Sequence, residues 1–346
     1  MPGISCRAAV HWGDSHSWSI EDISIDPPRP GEVLVRMPRS QDLGIFVLLG
    51  LFAEYTVVHE SSLQKISSDL SPFDVCPVSC AGVTGWGAVQ NTAGLRAGEV
   101  AVVVGVGGVG ANAVQAARYL GAEATLAVDP LAVRRNLAVD LGADGAVASF
   151  SEAQDRLADW TRGRMADAVI MTMGVGDGAL LAQAMSLVGK RGRLVVVNVH
   201  PDEEREVKLS LRDLQEYEKQ IRGCMAGSWH GRRGAAFLLD LAARGRYRPS
   251  AIVSRTCALE DIDRGYAEQA PGEVVRAVLG LAWRDNLRRR GIRSLIWVSA
   301  DSLSIRRSHS RAAILHGSVA ADQSSCWKML EKCWKDHSRT RPAATL

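Results

Sequence analysis

The segment Gly105-Val106-Gly107-Gly108-Val109-Gly110 carries the clearest chemistry in this sequence. Gly105, Gly107 and Gly110 fit the spacing G-x-G-x-x-G, directly after the valine-rich run Val100–Val104 and at the head of a helical pattern over Gly108–Leu120. Gly105 permits a tight turn, Gly107 lets a pyrophosphate approach bare backbone, and Gly110 lets helix and strand pack closely. The free N–H groups and positive dipole end of that helix then face the phosphates. A second strand, Thr125–Val128, ends in Asp129, 19 residues beyond Gly110. A carboxylate there accepts hydrogen bonds from ribose hydroxyls and repels a 2′-phosphate, which favours NAD over NADP. Arg134 and Arg135 close by pull the other way. A glycine-rich turn in an unrelated α/β fold is the bland alternative; strand, helix and acid in register make it the weaker one.

These residues need a sheet to hold them, and the rest of the chain supplies the pattern of one. Short apolar runs at Val100–Val104, Thr125–Val128, Ala168–Thr172 and Leu194–Val199 alternate with helical patterns at Gly108–Leu120, Leu131–Leu141 and Ala179–Val188. Such β-α alternation predicts a parallel sheet covered by helices on both faces, a doubly wound α/β fold. Further elements are expected as helices near Ala235–Ala243 and Leu259–Glu268, and as strands near Ala251–Ser254 and Val274–Leu281. Before residue 60 the chain reads instead as short strands, at Arg7–Val10, Glu32–Arg36 and Phe52–Val58, with Pro27–Gly31 as a turn.

Composition sets the outer limits. The 346 residues fit about two domains. No run approaches the roughly 18 apolar residues of a membrane span, and the first residues do not read as a signal peptide, so a cytoplasmic protein is expected. Seven scattered cysteines with no C-x-x-C pair point to reduced thiols. Residues 283–346 hold 13 Lys+Arg against 5 Asp+Glu, leaving 28 basic and 33 acidic residues for 1–282. A mildly acidic body with a basic, serine-rich tail gives no reason to expect a nucleic-acid partner.

Cys80-Ala81-Gly82-Val83-Thr84-Gly85-Trp86-Gly87-Ala88, then Gly105–Gly110, then Val128-Asp129-Pro130, resembles the medium-chain, zinc-type, NAD-dependent alcohol dehydrogenases. Arg7-Ala8-Ala9-Val10, Pro30-Gly31-Glu32-Val33-Leu34-Val35 and Phe52–Val58 are similar to strands of that family's catalytic domain. The likeness covers nearly all of 5–282 and implies a Rossmann doubly wound sheet beside a reduced, β-rich GroES-like domain. It divides the chain into 1–85 (the GroES-like part), 86–230 (the NAD-binding domain), 231–282 (last Rossmann elements and return) and 283–346 (a tail expected to be disordered). The resemblance implies NAD contacts from Gly105, Gly107, Gly108, Val109 and Gly110, adenosine-side contacts from Asp129 and Arg134, and a pyrophosphate contact from Arg276. It places Thr84, as a catalytic-site residue, with Val197 and Val199 beside the nicotinamide, and makes Cys80 a zinc ligand. It also implies a homodimer, with Tyr266–Leu281 at the pairing edge.

The sequence departs from the family where zinc is concerned. The family brings a Cys and a His, and then a structural zinc lobe, in the segment after its Leu-Val-Arg-Met strand; here Pro38–Gly50 holds neither residue type. A catalytic zinc lowers the pKa of the alcohol so that an alkoxide can release a hydride. Cys80 alone cannot hold that ion and reads equally well as a small residue near a helix start. His11, His16, His59 and His230 stand in no family ligand position. Three functions therefore stay open: hydride transfer between an alcohol or aldehyde and NAD, NAD binding without catalysis, and a zinc-free NAD(P)H quinone-reductase-like activity.

Overall fold

The computed structural model describes residues 4–10, 17–36, 41–42, 52–60, 63–66, 70–174, 178–200, 206–269, 271–272, 274–280 and 295–298. Its first part holds six short strands, β1 (Ile4–Val10), β2 (Ser19–Ile25), β3 (Glu32–Arg36), β4 (Gln41–Asp42), β5 (Tyr55–His59) and β6 (Leu63–Ile66), then helices α1 (Pro72–Val75) and α2 (Ala81–Gly87). β1 pairs antiparallel with β2, and β3 with β5.

The alternation foreseen from Val100 onward is present: β7 (Val100–Val104), α3 (Gly108–Tyr119), β8 (Ala124–Val128), α4 (Ala132–Asp140), β9 (Gly145–Val147), α5 (Phe150–Thr161), β10 (Ala166–Met171), α6 (Gly178–Leu187), β11 (Val188–Val196), α7 (Leu211–Glu216) and β12 (Gln220–Gly223). The six strands form one parallel sheet in the order β12-β11-β10-β7-β8-β9. This order leaves β7 in the middle, so the strand order reverses between β7 and β10. This is the Rossmann-like arrangement the sequence implied.

β7 shows why valine runs make such strands. Ala101 and Val103 face one apolar layer with Trp86, Val106 and Ala113, whereas Val100, Val102 and Val104 face the other with Phe150, Leu157 and Leu187. Helix α3 presents Ala111, Ala113, Ala116 and Ala117, all fully buried, and small side chains let it lie close on the sheet. α5 begins at a capping box: Ser149 Oγ accepts the Glu152 N–H at 3.3 Å, and Glu152 Oε2 accepts the Ala148 N–H at 3.1 Å. Ser149→Ala is expected to lower unfolding free energy by about 1 kcal/mol, measurable by urea denaturation.

The chain then runs through α8 (Gly231–Ala243), β13 (Val253–Cys257), α9 (Ile262–Gln269), β14 (Arg276–Leu279) and β15 (Leu295–Val298). β13, β14 and β4 form a separate three-stranded sheet. Of Tyr266–Leu281, expected at a pairing edge, Tyr266–Gln269 lie in α9 and Arg276–Leu279 in this second sheet, whereas Leu281 lies outside the described residues; the edges of the large sheet are β12 and β9. Within the segment expected to be disordered, Leu295-Ile296-Trp297-Val298 pairs antiparallel with β6, as four strand-forming residues in succession favour. Residues 283–294 and 299–346 lie outside the described residues, as do His11, His16 and Pro38–Ser40. No helix among the described residues is long and apolar enough to cross a membrane.

Candidate dinucleotide-binding site

A crevice opens where the strand order reverses, between the carboxyl ends of β7 and β10. On the β7 side the chain turns at Gly105, whose φ of +86° is a left-handed conformation side chains resist. On the β10 side Thr172 Oγ1 donates to the Gly105 carbonyl at 2.6 Å, bridging the crevice floor. A Cβ on Gly110 would overlap the Gly105 carbonyl and lie 2.6 Å from Thr172 Oγ1, so helix α3 can start this close to β7 only with glycine there. Gly107 is the N-cap of α3, and a Cβ built on it would meet nothing within 4 Å. There is therefore open space beside the first residue of the α3 tip, where a helix leaves its first N–H groups unsatisfied.

Arg276, at the start of β14, brings its guanidinium to the same tip: a Cβ on Gly108 would lie 2.5 Å from Arg276 Nε. A guanidinium held at the positive end of a helix is a repulsive pairing by itself. An anion shared by both makes it attractive. A pyrophosphate fits that requirement, with its oxygens on the α3 amides and on Arg276.

Asp129 stands at the end of β8, as the sequence placed it, and is 2% exposed. Its Oδ2 accepts the Val106 N–H at 2.7 Å and its Oδ1 the Leu131 N–H at 2.9 Å. The carboxylate thus fastens the glycine turn to the second strand. Two backbone donors use two of about four lone-pair sites on a carboxylate, leaving acceptor capacity for a ribose. Arg134 Nη1 lies 3.8 Å from Asp129 Oδ2, and its Nε donates to the Gly272 carbonyl at 2.9 Å. Arg135 donates through Nη1 to the carbonyls of Asp129 and Pro130, both at 2.8 Å.

On the opposite side of the crevice, β11 ends at Val196, so Val197–Val199 leave the strand the sequence assigned to them. The Val197 and Asn198 N–H groups both turn to the Met171 carbonyl, at 3.1 and 3.3 Å, and the Val199 N–H to Gly174 at 3.1 Å. These bonds carry the chain across the end of β10 and leave Val199 37% exposed. Thr84, half-buried on α2, belongs to a helix that crosses α3 at Gly85, where a Cβ would overlap the Val109 carbonyl. Gly85 and Thr172 are site-building residues that the sequence reading did not name. Gly85 stood inside the Cys80–Ala88 run, whereas nothing local marks Thr172.

Cys80 is the exposed N-cap residue of α2. Among the described residues no three His, Cys, Asp or Glu side chains come together as a metal site. Pro38–Gly50, where the family brings further ligands, contains neither Cys nor His. Zinc needs about three protein ligands in fixed geometry, so the described residues do not fit a catalytic zinc.

Residues 108–243 match the family model described as zinc-binding dehydrogenase. An NDMA-dependent alcohol dehydrogenase of Amycolatopsis methanolica is 34% identical over 69% of this chain and 64% of its own length. Alcohol dehydrogenase B of Mycobacterium tuberculosis is 34% identical over 70% of this chain and 64% of its own length. Over about two thirds of its length the chain is thus similar to medium-chain, zinc-type alcohol dehydrogenases. Two solved structures carry the same fold. One, an alcohol dehydrogenase zinc-binding domain protein from Burkholderia ambifaria, has a TM-score of 0.74 at 22% identity, covering 81% of this chain and 100% of that chain. The other, alcohol dehydrogenase TADH from Thermus sp. ATN1, has a TM-score of 0.59 at 28% identity, covering 66% of each chain. The chain spans only 64% of the length of the curated relatives named above. The zinc-binding dehydrogenase family matched by residues 108–243 uses a nicotinamide dinucleotide, NAD or NADP, and usually zinc.

Proposed function

We propose that the chain binds NAD across the β7–β10 crevice and that its activity is oxidoreduction of an alcohol or aldehyde with that cofactor. The single observation that carries this reading is the open helix tip at Gly107 facing the Arg276 guanidinium, with Asp129 fastened behind it. In the proposed complex the α3 amides and Arg276 hold the pyrophosphate, and the remaining lone pairs of Asp129, with Arg134 beside it, take the adenosine ribose. Thr84, Val197 and Val199 border the nicotinamide and fix which face meets the substrate. When bound, NAD supplies the acceptor for the hydride. The likeness to alcohol dehydrogenases over two thirds of the chain supports the substrate class. The β-rich strands before residue 60 fit a reduced GroES-like part, and a cytoplasmic homodimer fits a large sheet whose edge strand β12 leaves Ile221 38% exposed.

A second reading, NAD binding without turnover, is favoured by one observation: among the described residues no three His, Cys, Asp or Glu side chains come together to hold a zinc. NAD affinity measured by calorimetry, beside an assay of alcohol-dependent NADH formation with the metal content determined, separates the two. Oxidoreduction predicts both binding and turnover. Binding with no turnover of primary alcohols or aldehydes supports the second reading, and the absence of NAD binding contradicts both.

Cofactor preference tests Asp129. NADH is expected to bind more tightly than NADPH, since a 2′-phosphate would meet a buried carboxylate. Asp129→Asn is expected to reduce that preference by about tenfold, or about 1.4 kcal/mol, with a lowered melting temperature because the Val106 and Leu131 N–H groups lose a charged acceptor. Titration of both nucleotides checks the first effect and thermal denaturation the second.

A further inference from the structure

Three polar side chains sit inside the otherwise apolar layer around α3. Asn112 is fully buried, Tyr247 is 3% exposed and Gln115 is 8% exposed. Burying such groups is unfavourable unless each is paired, and these are paired in a directed way. Tyr247 Oη donates to Asn112 Oδ1 at 2.5 Å, and Asn112 Nδ2 donates to the Gly108 carbonyl at 2.7 Å. The orientation is fixed by chemistry. The Gly108 carbonyl can only accept, so the amide nitrogen of Asn112 must face it. Asn112 Oδ1 can then only accept, so the tyrosine must donate. One turn on, Gln115 accepts the Arg248 N–H at 2.9 Å and anchors the segment that carries Tyr247.

The Gly108 carbonyl belongs to the peptide group whose N–H is that of Val109. Val109 is the second residue of α3, and its N–H is one of the donors a helix leaves unsatisfied at its start. Withdrawing electron density at the carbonyl makes that N–H a better donor, and hydrogen bonds in series polarise one another. We infer that Tyr247 and Asn112 form a relay that strengthens and aims the Val109 N–H at the pyrophosphate of the bound dinucleotide. Tyr247 and Asn112 are thus positioning residues, acting through the helix tip from behind. This rests on the reading of the crevice as a dinucleotide site and adds to it a residue from a distant loop, 135 positions along the chain.

Burial pushes the Tyr247 phenol above its ordinary range, so the relay keeps its donor proton across the pH range in which the protein is folded. The same geometry sets the crossing of α2 over α3. A Cβ on Gly82 would lie 2.8 Å from Tyr247 Oη, and one on Gly85 would lie 2.9 Å from Asn112 Cβ. The hydroxyl is therefore held between the helix that carries Thr84 and the helix that carries the glycine turn.

The test compares NAD, ADP and adenosine binding by calorimetry to the full chain and to Tyr247→Phe, Asn112→Ala and Asn112→Ser. ADP carries the diphosphate; adenosine does not. The relay predicts that Tyr247→Phe and Asn112→Ala weaken NAD and ADP about three- to tenfold and leave adenosine within twofold. Asn112→Ser is expected to recover part of the loss, because its hydroxyl can reach the carbonyl four residues back. Unchanged NAD and ADP affinities overturn the relay. Equal weakening of all three ligands also overturns it, since loosened packing would act on adenosine as well. Tyr247→Phe keeps the ring in place and carries the test alone if Asn112→Ala is too unstable to purify. A native chain that binds neither NAD nor ADP refutes the dinucleotide site and the relay together, whereas native binding with indifferent variants refutes the relay only.

Discussion

Gly107→Ala is expected to weaken NAD binding severely while leaving the protein folded. A Cβ at this position meets no protein atom within 4 Å, and the backbone there, with φ −81° and ψ −162°, is open to any residue. Only the weaker N-capping of alanine counts against the variant, no more than about 1 kcal/mol. The same methyl group stands in the space a pyrophosphate needs in order to reach the first amides of α3. A loss of about 100-fold in affinity, or about 2.8 kcal/mol, is expected. Gly110→Ala is the informative contrast. Its Cβ would overlap the Gly105 carbonyl and crowd Thr172, so it is expected to destabilise the fold by about 1–3 kcal/mol or more. Urea denaturation and NAD titration of the two variants separate binding from folding at glycines three residues apart.

Arg193→Ala is expected to be the most destabilising single change away from the site. Arg193 rises from β11, is 7% exposed, and satisfies all five of its N–H donors. Nε donates to Ala93 O at 2.7 Å, while Nη1 and Nη2 reach Glu99 at 3.0 and 2.5 Å. The remaining donors reach the Asp167 and Gly94 carbonyls at 3.1 and 3.2 Å. One guanidinium thus ties β11 to β10 and to the turn that leads into β7. Truncation would leave Glu99 without its cation and three carbonyls without donors, at about 3–5 kcal/mol. The double variant Arg193→Met, Glu99→Leu is expected to recover most of that loss, since removing both partners leaves no stranded charge.

This pair also has a pH signature. Burial works against ionised Glu99, but the hydrogen bonds from Arg193 and the Arg96 N–H outweigh it and hold the carboxyl below its ordinary value. A depressed folded pKa stabilises the protein above the unfolded value, and that contribution is lost as pH falls through the folded one. The stability difference between native protein and the double variant is therefore expected to shrink progressively below about pH 4.5.

The nucleotide half was legible because its signals are local. The valine run ending at Gly105 gave β7, the short apolar run Thr125–Val128 gave β8, and the glycine spacing gave the start of α3. The capping box Ser149–Glu152 marks α5 just as locally, with Phe150, Ala153 and Leu157 on its buried side, yet it was not assigned from the sequence. β12 was not legible at all: four residues at a sheet edge, three of them exposed, carry no period. Val197–Val199 read as strand by composition, and only the Met171 and Gly174 carbonyls, brought close by the fold, show why they leave it. In the site, the place of Asp129 could be read from spacing, whereas its bonds to Val106 and Leu131 could not. Thr172 and Tyr247 act across 67 and 135 residues, and no local pattern reports contacts of that range. The last strands, β13 and β14, could not be assigned to a sheet from their sequence, and they belong to a different one from β7–β12.

The most direct test of the anion-holding helix tip is calorimetric titration of NAD onto the full chain and onto Arg276→Met. One NAD per chain is expected for the native protein, with affinity lowered at least about tenfold in the variant because half of the positive site is gone. Equal affinities in the two proteins, or no binding by the native chain, would contradict it.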